Sequence, residues 1–163
     1  MRILGIDPGY GMVGFGFIDN TSGKVSLVEY GCVKTALKER LPKRLNAISE
    51  EIEGLLRKFA PDEIAIEELF FVRNYTTAIP VAEARGVIIN TCYKYCEKIF
   101  EYTPLQVKQA LTGFGRAEKK QVQYMVKSIL NLAKNPTPDD AADALAVAIC
   151  HSQINTALNT NLI

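Results

Sequence analysis

Four carboxylates mark where chemistry could lie in this 163-residue chain. Asp7 closes a short apolar run, Arg2 to Ile6, at the turn Asp7-Pro8-Gly9. A carboxylate there, beside a backbone without side-chain bulk, can bind a cation or stand close to a phosphate, although Asp-Pro-Gly is equally an ordinary turn. Glu67 lies inside a second apolar run, Glu63 to Leu69, where an ionised carboxylate is costly to bury unless it is paired or ligates a metal. Alternation sends Glu67 and Glu68 to opposite faces, and the pattern alone does not choose between them. Asp140 and Asp143 are three apart on a helix and so share nearly one face. An acidic first turn serving the helix dipole explains Asp139 well and Asp143 less well. Ligation by oxygen alone suits Mg²⁺ or Mn²⁺ rather than zinc. Two such ions about 4 Å apart would activate a water and stabilise the leaving oxygen of a phosphodiester.

Other chemistries have less support. The only histidine, His151, has no nearby acidic orienter in sequence, and there is no G-x-S-x-G turn for a serine nucleophile. Cys32, Cys92, Cys96 and Cys150 contain no C-x-x-C knuckle and read as buried apolar residues. The formal net charge of +1 conceals a strong asymmetry. Between Thr103 and Lys134 stand Lys108, Arg116, Lys119, Lys120, Lys127 and Lys134 against Glu118 alone, and the acidic cluster Asp139, Asp140 and Asp143 follows at once. A basic segment abutting carboxylates is the polarity expected of a protein that grips a phosphate backbone and cuts it.

These groups need a scaffold. Arg2–Ile6, Met12–Ile18 and a third strand from Val25 to Val33 form an antiparallel meander around Gly-rich turns. Apolar residues at three-and-four spacing from Leu41 to Phe59 predict an amphipathic helix that Pro61 ends. The crossover through that helix implies that Glu63–Leu69 pairs in parallel with the first strand. A long helix, Thr76 to Cys96, carries small residues at Ala78, Ala82, Ala84 and Gly86. A strand Lys98–Tyr102, a short helix from Pro104, a basic helix Ala117–Leu132 and an alanine-rich helix Asp139–Ile149 complete the order. The pattern is α/β: a five-stranded mixed sheet, meander plus two parallel strands, with helices on both faces. Residues 1–151 make a single domain, and 152–163 form a polar tail and a candidate for disorder. With no membrane span and no signal peptide, the expected location is the cytoplasm.

Several segments carry a resemblance: GIDPGYGMVGFG at 5–16, AIEELFFVRN at 65–74, EARGV at 83–87, VKQALTGFGRAEKKQV at 107–122 and DDAADALAVAICH at 139–151. In order and spacing they closely resemble the RuvC family of Holliday-junction resolvases, over nearly the whole chain. The resemblance implies a ribonuclease-H-like fold and a homodimer with two sites. It also implies a hydrolase that resolves four-way DNA junctions in recombination and repair by paired, symmetric nicking, leaving 5′-phosphates. It implies Mg²⁺, two ions per subunit with Mn²⁺ able to substitute, and work alongside a branch-migration helicase complex of the RuvA and RuvB type. By the same resemblance Asp7, Glu67, Asp140 and Asp143 hold the metals, which selects Glu67 over Glu68. Phe70 falls on an aromatic position that stacks on a base at the junction centre, with Arg73 and Asn74 as further DNA contacts. Lys108 and Lys119 match residues that hold the scissile strand, helped by Arg116 and Lys120. Two rival readings are a catalytically silent junction-binding scaffold and an actin- or sugar-kinase-like phosphotransferase. The latter requires a second D-x-G segment and a second domain, which this chain lacks.

Overall fold

The structure, a computed structural model, describes residues 1–36, 38–69, 75–154 and 161–163. In chain order its elements are β1 (Arg2–Asp7), β2 (Met12–Thr21), β3 (Lys24–Lys34), α1 (Leu41–Phe59), β4 (Glu63–Glu67), α2 (Tyr75–Tyr93), β5 (Ile99–Tyr102), α3 (Pro104–Thr112), α4 (Lys119–Ile129) and α5 (Asp139–Ser152). The strands form one sheet in the order β3-β2-β1-β4-β5. β1, β2 and β3 are an antiparallel meander, while β4 runs parallel to β1 and β5 parallel to β4. Ser22 and Gly23, at φ 52° and 84°, turn the chain between β2 and β3. Positive φ at both central positions matches the twist of the paired strands.

Each face of the sheet carries a core. Leu4, Ile6, Ile64 and Ile66 pack with Ile48, Ile52 and Leu56 of α1 and Ala84, Ile88 and Cys92 of α2. Ile3, Ala65, Phe100 and Tyr102 pack on the other face with Leu145 and Ile149 of α5, Val126 of α4 and Val107 of α3. Covered on both faces, β1 and β4 read as near-continuous apolar runs. At the end of α1, Ala60 adopts a left-handed conformation and donates its N–H to Leu56 O, and Arg57 and Lys58 occupy the last turn, where the helix dipole favours cations.

Two helices are shorter than the apolar pattern predicts. α4 starts at Lys119, not Ala117, because the Glu118 N–H is taken by Gln121 Oε1 at 2.8 Å. It stops before Asn131, which sits at φ 51°. α2 stops at Tyr93, and the amides of Tyr95 and Cys96 both fold back onto Cys92 O.

The alanine-rich α5 lies very close to β1 and β2. A Cβ on Gly5 would collide with the Ala144 carbonyl, one on Gly14 with the Asp140 carbonyl, and one on Gly16 with the Leu145 side chain. At its other end α5 buries His151 completely, with Nδ1 2.7 Å from Tyr102 OH and Nε2 2.8 Å from Glu63 Oε2. Burial pushes the His151 pKa down. The neutral ring can accept from the Tyr102 hydroxyl and donate to Glu63. Cys92 and Cys150 are buried, Cys32 and Cys96 half-buried, and all four are free thiols. Residues 161–163 return to the outer edge of β5, where Leu162 bridges Phe100, Asn161 O accepts from Glu101 N–H at 2.8 Å and Ile163 N–H donates to Ile99 O at 2.9 Å.

Candidate active site

Parallel pairing of β1 and β4 puts the ends of both strands, Asp7 and Glu67, at one edge of the sheet. Glu67 shares a face with Glu63 and Ala65, the face toward α5. Because the β1 and β2 glycines admit α5 so closely, its first turns bring Asp140 and Asp143 to the same edge. A cleft of 180 Å³ opens there, lined by Glu67 and Asp143, by Lys108 and Lys119, and by the apolar Pro104, Val107, Val122 and Ala146.

The carboxylates act on one another. Burial pushes the Asp7 pKa up to about 8, helped by the charges of Glu67, Asp143 and Asp140 and by a hydrogen bond with Glu67. Burial and then Asp143 raise Glu67 to about 7, against the hydrogen bond from Asp7 and the nearby charges of Lys119 and Lys108. Asp143 is also raised, again chiefly by burial, with Lys119 opposing. This edge therefore crowds more negative charge than its own cations neutralise, a condition that a divalent cation relieves. Cys32 lies nearby, but burial and the Asp140 charge push its thiol up to about 11. It stays a neutral thiol at physiological pH and leaves an oxygen-only donor set. That donor set fits Mg²⁺ or Mn²⁺, although among the described residues no three such groups already stand at ligand spacing.

The basic residues divide. Lys119 Nζ lies 2.8 Å from Asp143 and 3.3 Å from Asp139. Burial works against its charge, and these two pairs outweigh it, leaving the pKa above the ordinary lysine value. Lys108 lines the cleft with it. Arg116 is exposed. Lys120, one residue from Lys119, points elsewhere and lines a separate depression with Tyr124 and Met125. Phe70, Arg73 and Asn74 lie outside the described residues. Asp139, which the sequence assigns to the helix dipole alone, also pairs with Lys119 and accepts from Gln123 Nε2 at 2.9 Å.

Residues 3–151 match the family model described as crossover junction endodeoxyribonuclease RuvC. The chain is 52% identical over 151 residues to the crossover junction endodeoxyribonuclease RuvC of Petrotoga mobilis, covering 93% of each. It is likewise 52% identical to that of Finegoldia magna, covering 93% of this chain and 92% of the relative. Among solved structures, Thermus thermophilus RuvC in complex with Holliday junction substrate superposes with a TM-score of 0.87 at 36% identity, covering 93% of each chain. The same protein in another structure gives 0.85 at the same identity and coverage. With its edge of carboxylates on a meander-and-crossover sheet, this chain belongs to the RuvC family of crossover junction endodeoxyribonucleases.

Proposed function

We propose that the chain is a crossover junction endonuclease that resolves four-way DNA junctions by paired hydrolytic nicks. The observation that carries this reading is the convergence of Asp7, Glu67, Asp140 and Asp143 on one sheet edge, beside the cleft where Lys108 and Lys119 stand. The four carboxylates would hold Mg²⁺, two ions per subunit, with Mn²⁺ as a substitute. When bound, such ions supply Lewis-acid stabilisation of the phosphate and a water of lowered pKa. Lys108 and Lys119 take the phosphodiester, for which Lys119 exchanges its pairing with Asp143 for the phosphate. That exchange leaves the Asp143 carboxylate to orient the attacking water. Water adds to phosphorus in line, the 3′-oxygen departs as a hydroxyl, and the phosphate stays on the 5′ end. The apolar wall of Val107, Val122 and Ala146 limits water around the reacting group.

A four-way junction is approximately two-fold symmetric, so a C₂ dimer of this domain would present one site to each of two strands. Arg73, Asn74, Arg116 and Lys120 extend the DNA contact and Phe70 stacks on a junction base. The protein works in the cytoplasm beside a branch-migration helicase complex of the RuvA and RuvB type. Among the described residues no helix is long and apolar enough to cross a membrane.

The deciding experiment is a nicking assay on a synthetic immobile junction in Mg²⁺, with wild type and Asp7→Asn. Wild type is expected to make two symmetric nicks. Asp7→Asn is expected to lose more than about 100-fold in rate, beyond what loss of an outer-shell metal partner costs, while binding the junction within about twofold. Junction binding by wild type without nicks would favour the silent scaffold instead.

A further inference from the structure

Beside the acidic cleft lies a larger depression of 460 Å³, lined by Thr103, Pro104, Leu105, Lys108 and Gly115. Pro104 and Lys108 line both, so the two are neighbours. They differ in charge. Among the described residues that line the depression the only charged one is Lys108, and the walls are the Pro104 ring, the Leu105 side chain and the bare Cα of Gly115. Leu105 is 60% exposed although it belongs to the first turn of α3. Gly115 keeps the space open, since a Cβ there would come to 3.0 Å from Leu105 Cγ. Its backbone is not left-handed, so the missing side chain serves room rather than conformation.

A phosphodiester held by Lys108 and Lys119 carries a nucleoside on each side, one covalent linkage away. The acidic cleft has the charge for the phosphate, but at 180 Å³, with Glu67, Asp143 and two lysines in its lining, it leaves little room for a sugar and base as well. The neighbouring opening on the other side of Lys108 has that room. Resting on the function proposed above, we infer that this depression receives the sugar and unstacked base of one nucleotide adjoining the cut phosphodiester, packed against Leu105 and Pro104. Every base offers an apolar face, so such a contact is tolerant of sequence and acts by fixing the phosphate in the cleft.

The test is single-turnover nicking in Mg²⁺ of junctions carrying either a normal or an abasic nucleotide on each side of the cut phosphodiester. Wild type should cut about five- to tenfold more slowly when the base is missing at one of the two positions. Leu105→Ala, an exposed position that does not hold the core, and Gly115→Val, which fills the depression, should cut the normal junction at that reduced rate. Both variants should be indifferent to the abasic replacement and bind the junction in EDTA within about twofold of wild type. An abasic penalty as large in both variants as in wild type would overturn the inference, as would a wild type insensitive at both positions. A wild type that cuts no junction would instead sink the proposed function itself. That outcome is distinct from an active nuclease that ignores the depression.

Discussion

Asp7 is the residue on which the electrostatics of the site turn. In the folded chain it titrates near 8 and Glu67 near 7, against ordinary values of 3.8 and 4.5. Between the unfolded and folded values the native state holds protons that the unfolded chain has released, so the stability of the metal-free protein declines as pH rises from about 4 to about 8. Thermal denaturation in EDTA should therefore show a falling Tm across that window. Mg²⁺ should restore the Tm most at its upper end, because cation binding must displace those protons. Asp7→Asn, which removes the most strongly shifted carboxyl, should flatten the slope and melt above wild type at pH 8 without metal. A Tm independent of pH in EDTA would show that burial and the neighbouring charges do not raise Asp7 and Glu67.

At the scale of elements, the contact between α5 and the β1–β2 pair sets where Asp140 and Asp143 stand. Gly14→Ala forces a methyl into the Asp140 backbone carbonyl. Overpacking of this kind costs about 1–3 kcal/mol. It should lower the Tm by several degrees and, by moving the start of α5, reduce nicking more than a purely global destabilisation would. Gly54→Ala in α1 is the natural comparison, because a Cβ there meets nothing within 4 Å. It should leave the melting temperature unchanged or raise it. The meander, α1 and the parallel crossover were legible in the sequence because period-two and three-and-four patterns survive wherever one face is buried. The purpose of Gly5, Gly14 and Gly16 was not: within a strand beside a turn, glycine reads as punctuation, and close approach by a helix far away in the chain leaves no local mark. The alanines of α5 point to a helix lying tightly on the sheet with its aspartates over the strand ends, without identifying the strand glycines that admit it. Alternation leaves Glu67 and Glu68 open and only the family resemblance chooses between them; the strand packing places Glu67 on the α5 face. The network of Glu63, His151 and Tyr102 was illegible for the same reason, since its members are 49 and 88 residues apart in the chain.

For the whole molecule, the formal charge of +1 is the balance of a carboxylate edge and a basic flank rather than a sign of neutrality. The outer side of α2 exposes Ile79, Ala82, Gly86 and Asn90 at helical spacing, and Gly86 has open space above it. That side is the expected dimer contact. Sedimentation of the wild type at micromolar concentration should give a dimer. Gly86→Arg should give a folded monomer that no longer makes the two nicks of one junction in a single binding event. A wild type that sediments as a monomer would remove the basis for paired cutting. The return of residues 161–163 to β5 matters for a different property. An uncovered strand edge displays a row of free N–H and C=O groups on which a second chain can build a sheet, and Asn161 and Ile163 occupy three of those groups on β5, the N–H and C=O of Glu101 and the C=O of Ile99. A chain ending at Thr160 is expected to melt near the wild-type temperature yet scatter light progressively as it is concentrated. The last three residues would then act as a guard on solubility rather than as a part of the nuclease.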